Sequence, residues 1–163
     1  DKQEFRKKLW GNSLEVNAKN YFEKQDLKEL HMAYNNLVKT HMDKSKLLNH
    51  VEEVLKAIRD KSIKIGLVTN TTTERTTNDL RFHKIKKYFD AIVTGDDVEK
   101  PKPYPDGVLK LCESLNVTPN EAILVGDTKN DYKAGKSAGC FVVGLNTHGD
   151  LVISKLSDVL QLI

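Results

Sequence analysis

The spacing of apolar residues along the chain changes near residue 46. Before that point, apolar residues recur three or four positions apart between Lys- and Glu-rich segments, which is the spacing of an amphipathic helix. From residue 47 onward, one amphipathic helix is followed by short apolar runs that alternate with helical segments. The pattern predicts a small helical region over residues 1–45 and an α/β domain over residues 46–163.

The α/β pattern resolves into predicted strands and helices of ordinary length. The predicted strands cover residues 63–70, 90–97, 121–127, 140–146 and 150–154. The predicted helices cover residues 47–60, 73–89, 105–116, 131–139 and 155–163. Such alternation predicts a parallel sheet with helices on both faces. Because ligands of these sheets bind at the carboxyl ends of the strands, the functional side chains are expected there.

Charge and cysteine content narrow the function classes. The net charge is +3, and the 26 Lys and Arg residues are spread along the chain, which argues against a nucleic-acid partner. No apolar run approaches the roughly 18 residues of a membrane span. Cys112 and Cys140 lack disulfide or metal-site spacing, so both are expected to be small buried apolar residues in a reducing compartment. We therefore expect a cytoplasmic protein without a membrane partner.

The first predicted strand ends at Thr69 and Asn70, and three more threonines follow. Hydroxyl and backbone N–H groups at the entrance to a helix can form an anion-binding pocket. The same residue types also cap helices. These residues therefore predict either an anion contact or plain helix capping.

The second predicted strand leads into GDDVEKPKPYPDG, residues 95–107. Prolines at alternate positions stiffen this loop and fix its direction. A rigid loop that holds one lysine at a strand mouth suits a fixed counter-ion for phosphate or carboxylate, and Lys100 is predicted to be that lysine. Lys102 is expected to point to solvent. The alternative is that Lys100 is an ordinary surface lysine.

Two aspartates stand in LVGDTKND, residues 124–131, after the third predicted strand. Asp127 ends the strand, and Asp131 lies where the next helix begins. Neighbouring carboxylates repel unless a cation lies between them, and hard oxygen ligands suit Mg²⁺. The pair predicts an Mg²⁺ site formed by Asp127 and Asp131. The alternative is that Asp131 caps the helix and Asp127 hydrogen-bonds the turn.

The side chains at the three strand ends indicate a function when they are considered together. A hydroxyl, an ammonium and carboxylates at neighbouring strand mouths supply the positioning, charge neutralisation and metal binding that phosphoryl transfer requires. The sequence therefore predicts a site for phosphoryl chemistry.

Three stretches resemble the second, third and fourth motifs of the haloacid dehalogenase superfamily: LVTN, EKPKPYPDG and ILVGDTKNDYKAGKSAGC. The chain is most similar to its phosphatases of the phosphoglycolate phosphatase and β-phosphoglucomutase type. The resemblance implies a Rossmann-like core preceded by part of a helical cap domain. It implies that Thr69 binds the phosphoryl group of a small phosphorylated metabolite with help from the backbone of Asn70. It also implies that Lys100 balances the phosphoryl charge, and that Asp127 ligates Mg²⁺ with Asp131 in support. The implied reaction is hydrolysis of a phosphate monoester through an aspartyl-phosphate.

The chain departs from that family at the first motif. The family carries Asp-x-Asp after a central first strand, with the nucleophile first and the general acid–base second, and no such strand precedes the helical region here. We therefore expect the nucleophile to lie upstream of residue 1 and the chain to be inactive by itself. The alternatives are a non-catalytic relative that binds phosphate or a partner, and a phosphomutase. Both a monomer and a dimer fit the sequence.

Overall fold

The computed structural model describes residues 9, 11–12, 14–22 and 25–163. Its α-helices are α1 (Leu14–Tyr21), α2 (Leu27–Thr40), α3 (Val51–Asp60), α4 (Thr73–Phe82), α5 (Asp106–Leu115) and α6 (Lys129–Ala138). Its strands are β1 (Gly66–Val68), β2 (Ala91–Val93), β3 (Ile123–Gly126), β4 (Phe141–Leu145) and β5 (Leu151–Ile153). Short 3₁₀ turns cover Met42–Lys44, Lys86–Tyr88, Gly95–Asp97, Pro119–Glu121 and Leu156–Gln161.

All strand pairs are parallel, and a helix connects each strand to the next except between β4 and β5. β1 pairs with β2 through α4, and β3 pairs with β4 through α6. β5 pairs with the far edge of β4. Val142 and Val143 are successive residues of β4 that point to opposite faces, and both are almost fully buried. The predicted α/β class, with a parallel sheet covered on both faces, is confirmed.

Apolar side chains of the helices cover the two faces of the strands. Val54 of α3 packs with Val143 of β4, and the neighbouring Leu55 packs with Ile65 at the entrance to β1. On the opposite face, α5 and α6 meet in a cluster that contains both cysteines, Cys112 and Cys140. Both thiols are free and buried, as the sequence predicted. No helix in the described part of the chain is long and apolar enough to cross a membrane.

The strands form two short sheets rather than one. One sheet has the order β1-β2 and the other the order β3-β4-β5, so no pairing among the described residues joins β1 to β3. Along β3, Ile123 is 40% exposed and Val125 is 39% exposed, although strand residues of this type are ordinarily buried in parallel sheets. The expected central strand between β1 and β3, and the division at residue 45, remain predictions.

Several predicted boundaries differ from the structure for local reasons. Helix α3 begins at Val51 rather than at residue 47, because His50 has the left-handed backbone conformation with φ of 63°. The helix predicted over 73–89 ends at Phe82, and Lys84 is left-handed with φ of 58°. The last predicted helix is a 3₁₀ turn. The sequence also predicts that Ser13 caps a helix, and this residue lies outside the described residues.

Candidate active site

A pocket of about 940 Å³ lies where the carboxyl ends of β1 and β3 face the helices α1 and α2. Its floor contains Thr69, Asn70, Lys102, Asp127 and Asp131. Its opposite wall comes mainly from the first 40 residues and is largely apolar, with Leu9, Leu14, Val16, Phe22, Leu30 and Leu37. The pocket therefore combines a polar end at the strand mouths with an apolar wall.

Thr69 follows β1 directly and lies at the pocket floor. Its N–H donates to the carbonyl of Val93 at 3.0 Å, which continues the β1–β2 ladder. Its Oγ1 accepts the N–H of Thr71 at 3.1 Å, so its own hydroxyl proton can be donated elsewhere. The N–H of Thr73 in the first turn of α4 is bound instead by Asp96, at 2.7 Å. Helix capping therefore does not account for Thr69.

Asn70 holds the proline-rich loop against the end of β1. Its Oδ1 accepts the N–H of Lys102 at 2.8 Å, and its Nδ2 donates to the carbonyl of Lys102, also at 2.8 Å. These two bonds fix the position of one loop residue through its backbone. The side chain of Asn70 is thus engaged with the loop, and the phosphate contact expected from its backbone stays a prediction.

Of the two lysines in the proline-rich loop, the structure brings Lys102 to the pocket. Lys102 points into the pocket floor, where Nζ donates to Asp131 Oδ1 at 2.7 Å and to the carbonyl of Val68 at 3.1 Å. Its side chain is only 12% exposed, so the prediction that Lys102 points to solvent is wrong. Lys100 is exposed, and its Nζ lies 5.9 Å from the ring centroid of Tyr104. The structure therefore does not bring Lys100 to the pocket.

Asp131 is the partner that holds Lys102. Oδ1 accepts from Lys102, while Oδ2 accepts the Thr128 N–H at 3.0 Å and the Thr128 hydroxyl at 2.6 Å. The Asp131 N–H donates back to Thr128 Oγ1 at 3.2 Å, which completes a capping box at the start of α6. Both carboxylate oxygens are thus engaged. The geometry favours the capping alternative for Asp131 over a role as metal ligand.

Asp127 stands between β3 and α6 with an exposed side chain that lines the pocket. Its carboxylate fits Mg²⁺, which in proteins is bound by one or two carboxylates, waters and substrate phosphate. The described residues contain no cluster of three or more His, Cys, Asp and Glu side chains that could hold a metal. Asp127 can therefore supply one ligand, and further ligands must come from elsewhere.

Two asparagines connect the floor of the pocket to its opposite wall. Asn70 Nδ2 and Asn130 Nδ2 both donate to the carbonyl of Gly11, at 3.2 Å and 3.0 Å. Asn130 also donates to Asn12 Oδ1 at 3.1 Å. Sequence reasoning missed these contacts, because neither asparagine lies in a spacing that points to residues more than fifty positions away.

Gly126 allows Asp131 to approach the end of β3. A Cβ at this position would lie 2.3 Å from Asp131 Cβ and 2.7 Å from its Cγ. We expect Gly126→Ala to displace Asp131 and to lower the free energy of unfolding by about 1–3 kcal/mol, the usual cost of overpacking. Chemical denaturation measures this change. A variant as stable as the wild type would show that Asp131 can move at no cost.

The ion pair with Lys102 should make stability depend on pH. Burial acts to raise the pKa of Asp131, but the Lys102 ammonium and the Thr128 hydrogen bonds outweigh it, so the pKa is lowered overall. A lowered folded-state pKa means that the ionised carboxylate stabilises the fold above the unfolded pKa of about 3.9, and that this is lost as the pH falls through the folded pKa.

Asp131→Asn is therefore expected to be less stable near pH 7 by about 3–5 kcal/mol, because Lys102 is left buried without its counter-charge. The difference from the wild type should shrink as the pH falls below about 4. Urea denaturation at a series of pH values tests this. A difference that stays constant down to pH 3 would contradict the assigned ion pair.

Comparison with known proteins identifies the protein family to which this chain belongs. The chain belongs to the haloacid dehalogenase-like hydrolase family, which matches residues 2–145. The phosphoglycolate phosphatase of Escherichia coli (strain K12) is 38% identical over 117 residues, which are 70% of this chain and 46% of that protein. The phosphoglycolate phosphatase of Salmonella typhi is 37% identical over the same length. The chain spans about half the length of these curated relatives.

Solved structures support the same assignment. The β-phosphoglucomutase of Clostridium difficile has a TM-score of 0.83 at 25% identity, covering 96% of this chain and 77% of that one. A HAD phosphatase from Thermococcus onnurineus has a TM-score of 0.73 at 29% identity, covering 79% of this chain and 63% of that one. The fold and the family predicted from the three sequence motifs are confirmed.

Proposed function

We propose that this chain contributes the phosphate-binding half of a Mg²⁺-dependent phosphatase that hydrolyses a small phosphate monoester. The observation that most strongly supports this proposed function is the position of Lys102. A buried ammonium, held by Asp131 and lying in the same pocket as Thr69 and Asp127, suits a dianionic phosphoryl group better than a neutral ligand. The curated relatives, which are named as phosphoglycolate phosphatases, support the same substrate class.

Each floor residue has a distinct part in this proposal. Lys102 neutralises charge on the phosphoryl oxygens, and Asp131 keeps its ammonium in place. The Thr69 hydroxyl, whose proton is not used by Thr71, donates to a phosphoryl oxygen. Asn70 fixes the position of Lys102 by hydrogen-bonding both its backbone N–H and its backbone carbonyl. Asp127 would hold Mg²⁺, which when bound neutralises developing negative charge on the phosphoryl group.

The nucleophile in this proposal is an aspartate upstream of residue 1. Its carboxylate oxygen bonds to phosphorus while the bond from phosphorus to the substrate alcohol oxygen breaks, and a second upstream aspartate gives that oxygen a proton. Water then attacks the phosphorus of the aspartyl-phosphate and gives a proton to the second aspartate, while the bond from phosphorus to the first aspartate breaks, which releases phosphate and restores both groups. Two observations support an upstream segment here: β1 and β3 each have one strand partner among the described residues, and the relatives are longer.

The helices α1 and α2 would serve as part of a cap. They close the pocket opposite the floor, and an apolar wall of this kind excludes water from a phosphoryl group. A phosphomutase is the second candidate, because the structural relatives include a β-phosphoglucomutase. A mutase would return the phosphoryl group to a sugar hydroxyl rather than to water.

Phosphate release by the full-length gene product tests the proposed function. With p-nitrophenyl phosphate and Mg²⁺ we expect turnover that stops when EDTA removes the metal. Transfer of the phosphoryl group to added sugar phosphates, with little release of free phosphate, would favour the mutase. No turnover of any phosphate ester in the presence of Mg²⁺ would support the non-catalytic alternative.

A further inference from the structure

The pocket contains a second cationic side chain that the proposed chemistry does not use. Among the described residues that line it, the cations are Lys102 and Arg75. Lys102 is already paired with Asp131 at the floor. Arg75 lies in the first turn of α4, just beyond the phosphate-binding loop that starts at Thr69. Its side chain lines the same pocket as Thr69 and Lys102.

Arg75 is oriented by a residue of the opposite wall. Its Nη1 donates a hydrogen bond to the hydroxyl of Tyr34 in α2, and its Cζ lies 4.9 Å from the Tyr34 ring centroid. The contact joins α4 to α2 across the pocket.

The Arg75 guanidinium lacks a hydrogen-bond partner for one of its donors among the described residues. Nε is buried and has no hydrogen-bond partner among the described residues. The nearest carboxylate, that of Asp79, lies 3.5 Å away, which is an ion-pair distance without hydrogen-bond geometry. Both side chains are about a quarter to a third exposed, at 26% and 34%, so this pair is weak. Because Arg75 lines the pocket and its side chain is 26% exposed, its remaining N–H groups can donate to acceptors on a ligand.

We propose that Arg75, held by Tyr34, is a specificity residue that binds a second anionic group of the substrate. This inference rests on the proposed phosphatase function and deepens it: the substrate is a phosphate monoester whose alcohol part carries a carboxylate or a second phosphate. Arginine binds both groups through two parallel hydrogen bonds. Lys102 takes the phosphoryl group that is removed, and Arg75 takes the anion that stays on the product.

Three esters that differ only in the distal group test the subsite. They are 2-hydroxyethyl phosphate, 2-phosphoglycolate and ethylene glycol bisphosphate, with a hydroxyl, a carboxylate and a phosphate. The full-length gene product should prefer one or both anionic esters over the hydroxyl ester by about 10- to 100-fold in kcat/KM, as expected for charge-assisted hydrogen bonds. The preferred anionic ester identifies which group the site accepts.

Variants of Arg75 test whether this residue causes the preference for anionic esters. Arg75→Met should remove it, mainly by raising KM for the anionic esters, and should leave the hydroxyl ester nearly unaffected. Arg75→Lys keeps the charge but loses the planar fork, so it should restore part of the preference. Arg81→Met, an exposed arginine of the same helix, is the matched control and should behave as the wild type. An equal loss on all three esters in Arg75→Met would mean a structural role and overturn the proposal.

A binding measurement separates this inference from the proposed function. Calorimetry compares 3-phosphonopropionate with 3-hydroxypropylphosphonate, which mimic the carboxylate and hydroxyl esters but are not hydrolysed. If no ester is turned over, the phosphatase proposal fails, whereas tighter, Arg75-dependent binding of 3-phosphonopropionate still supports the subsite. Equal binding of both phosphonates by the wild type, together with no preference among the esters, overturns it.

Discussion

Lys102→Ala is expected to lower kcat/KM of the full-length enzyme by at least about 10²–10³-fold, the usual effect of removing a group that stabilises the charge of a transition state. The ammonium of Lys102 lies in the pocket floor, 12% exposed and 2.7 Å from Asp131. Its removal leaves the phosphoryl charge unopposed and leaves the Asp131 carboxylate buried alone. Steady-state kinetics measure the loss, and circular dichroism at the assay temperature establishes that the variant is folded.

Lys100→Ala is the matched control, since it removes the same side chain two residues earlier in the same loop. Lys100 is exposed and lies against Tyr104, so we expect less than about a twofold change in kcat/KM and less than about 0.5 kcal/mol in stability. A large loss in Lys100→Ala with near-normal activity in Lys102→Ala would restore the lysine that the sequence favoured.

Asp127→Ala is expected to reduce activity by at least about a hundredfold and to abolish the response to added Mg²⁺, because it removes the carboxylate that fits the metal. Its stability should hardly change, since the side chain is exposed at the end of β3. This combination distinguishes Asp127 from Asp131, whose removal should cost both activity and stability. Metal titration of the rate and thermal unfolding measure the two effects.

Asp60→Ala supplies the control for Asp127, because it removes an exposed carboxylate from the end of α3, at the surface and outside the pocket lining. It should leave the rate and its Mg²⁺ dependence unchanged. If Asp127→Ala kept near-normal turnover with an unaltered Mg²⁺ dependence, Asp127 would not be the metal ligand.

The sequence predicted the class of fold because periodicity reports burial. Near-continuous apolar runs between amphipathic segments can be accommodated only by strands that are covered on both faces, and this pattern is insensitive to the details of any one turn. The ends of helices were harder to predict. His50 and Lys84 adopt left-handed backbone conformations, which are uncommon for residues other than glycine, so composition did not indicate where α3 begins or α4 ends.

The sequence indicated which types of side chain form the candidate site, but it did not indicate which of two lysines reaches it. KPKPYP contains two overlapping Lys-Pro-x-Pro units, so the local pattern cannot distinguish Lys100 from Lys102. The choice depends on Asn70, which binds the backbone of Lys102 from 32 positions away, and on the pairing with Asp131. Long-range contacts of this kind leave no trace in spacing along the chain.

Arg75 and Gly126 are two further residues whose importance depends on contacts that are distant in the sequence. Gly126 stood in the quoted motif, but its importance depends on the 2.3 Å separation that a Cβ would have from Asp131 Cβ. Arg75 gave no signal, because an arginine in the first turn of a polar helix is ordinary until Tyr34 is seen across the pocket. Asp127, by contrast, lines the pocket at the strand end where the motif placed it, and its role as a metal ligand stays a prediction.

Binding of orthovanadate in the presence of Mg²⁺ tests the central claim most directly, because this phosphate mimic requires no knowledge of the natural substrate. Calorimetry on the full-length gene product should show binding that Lys100→Ala leaves unchanged and that Lys102→Ala weakens by at least about a hundredfold. Equal affinity in the wild type and in Lys102→Ala would contradict the account, since the pocket floor would then not be a phosphoryl site.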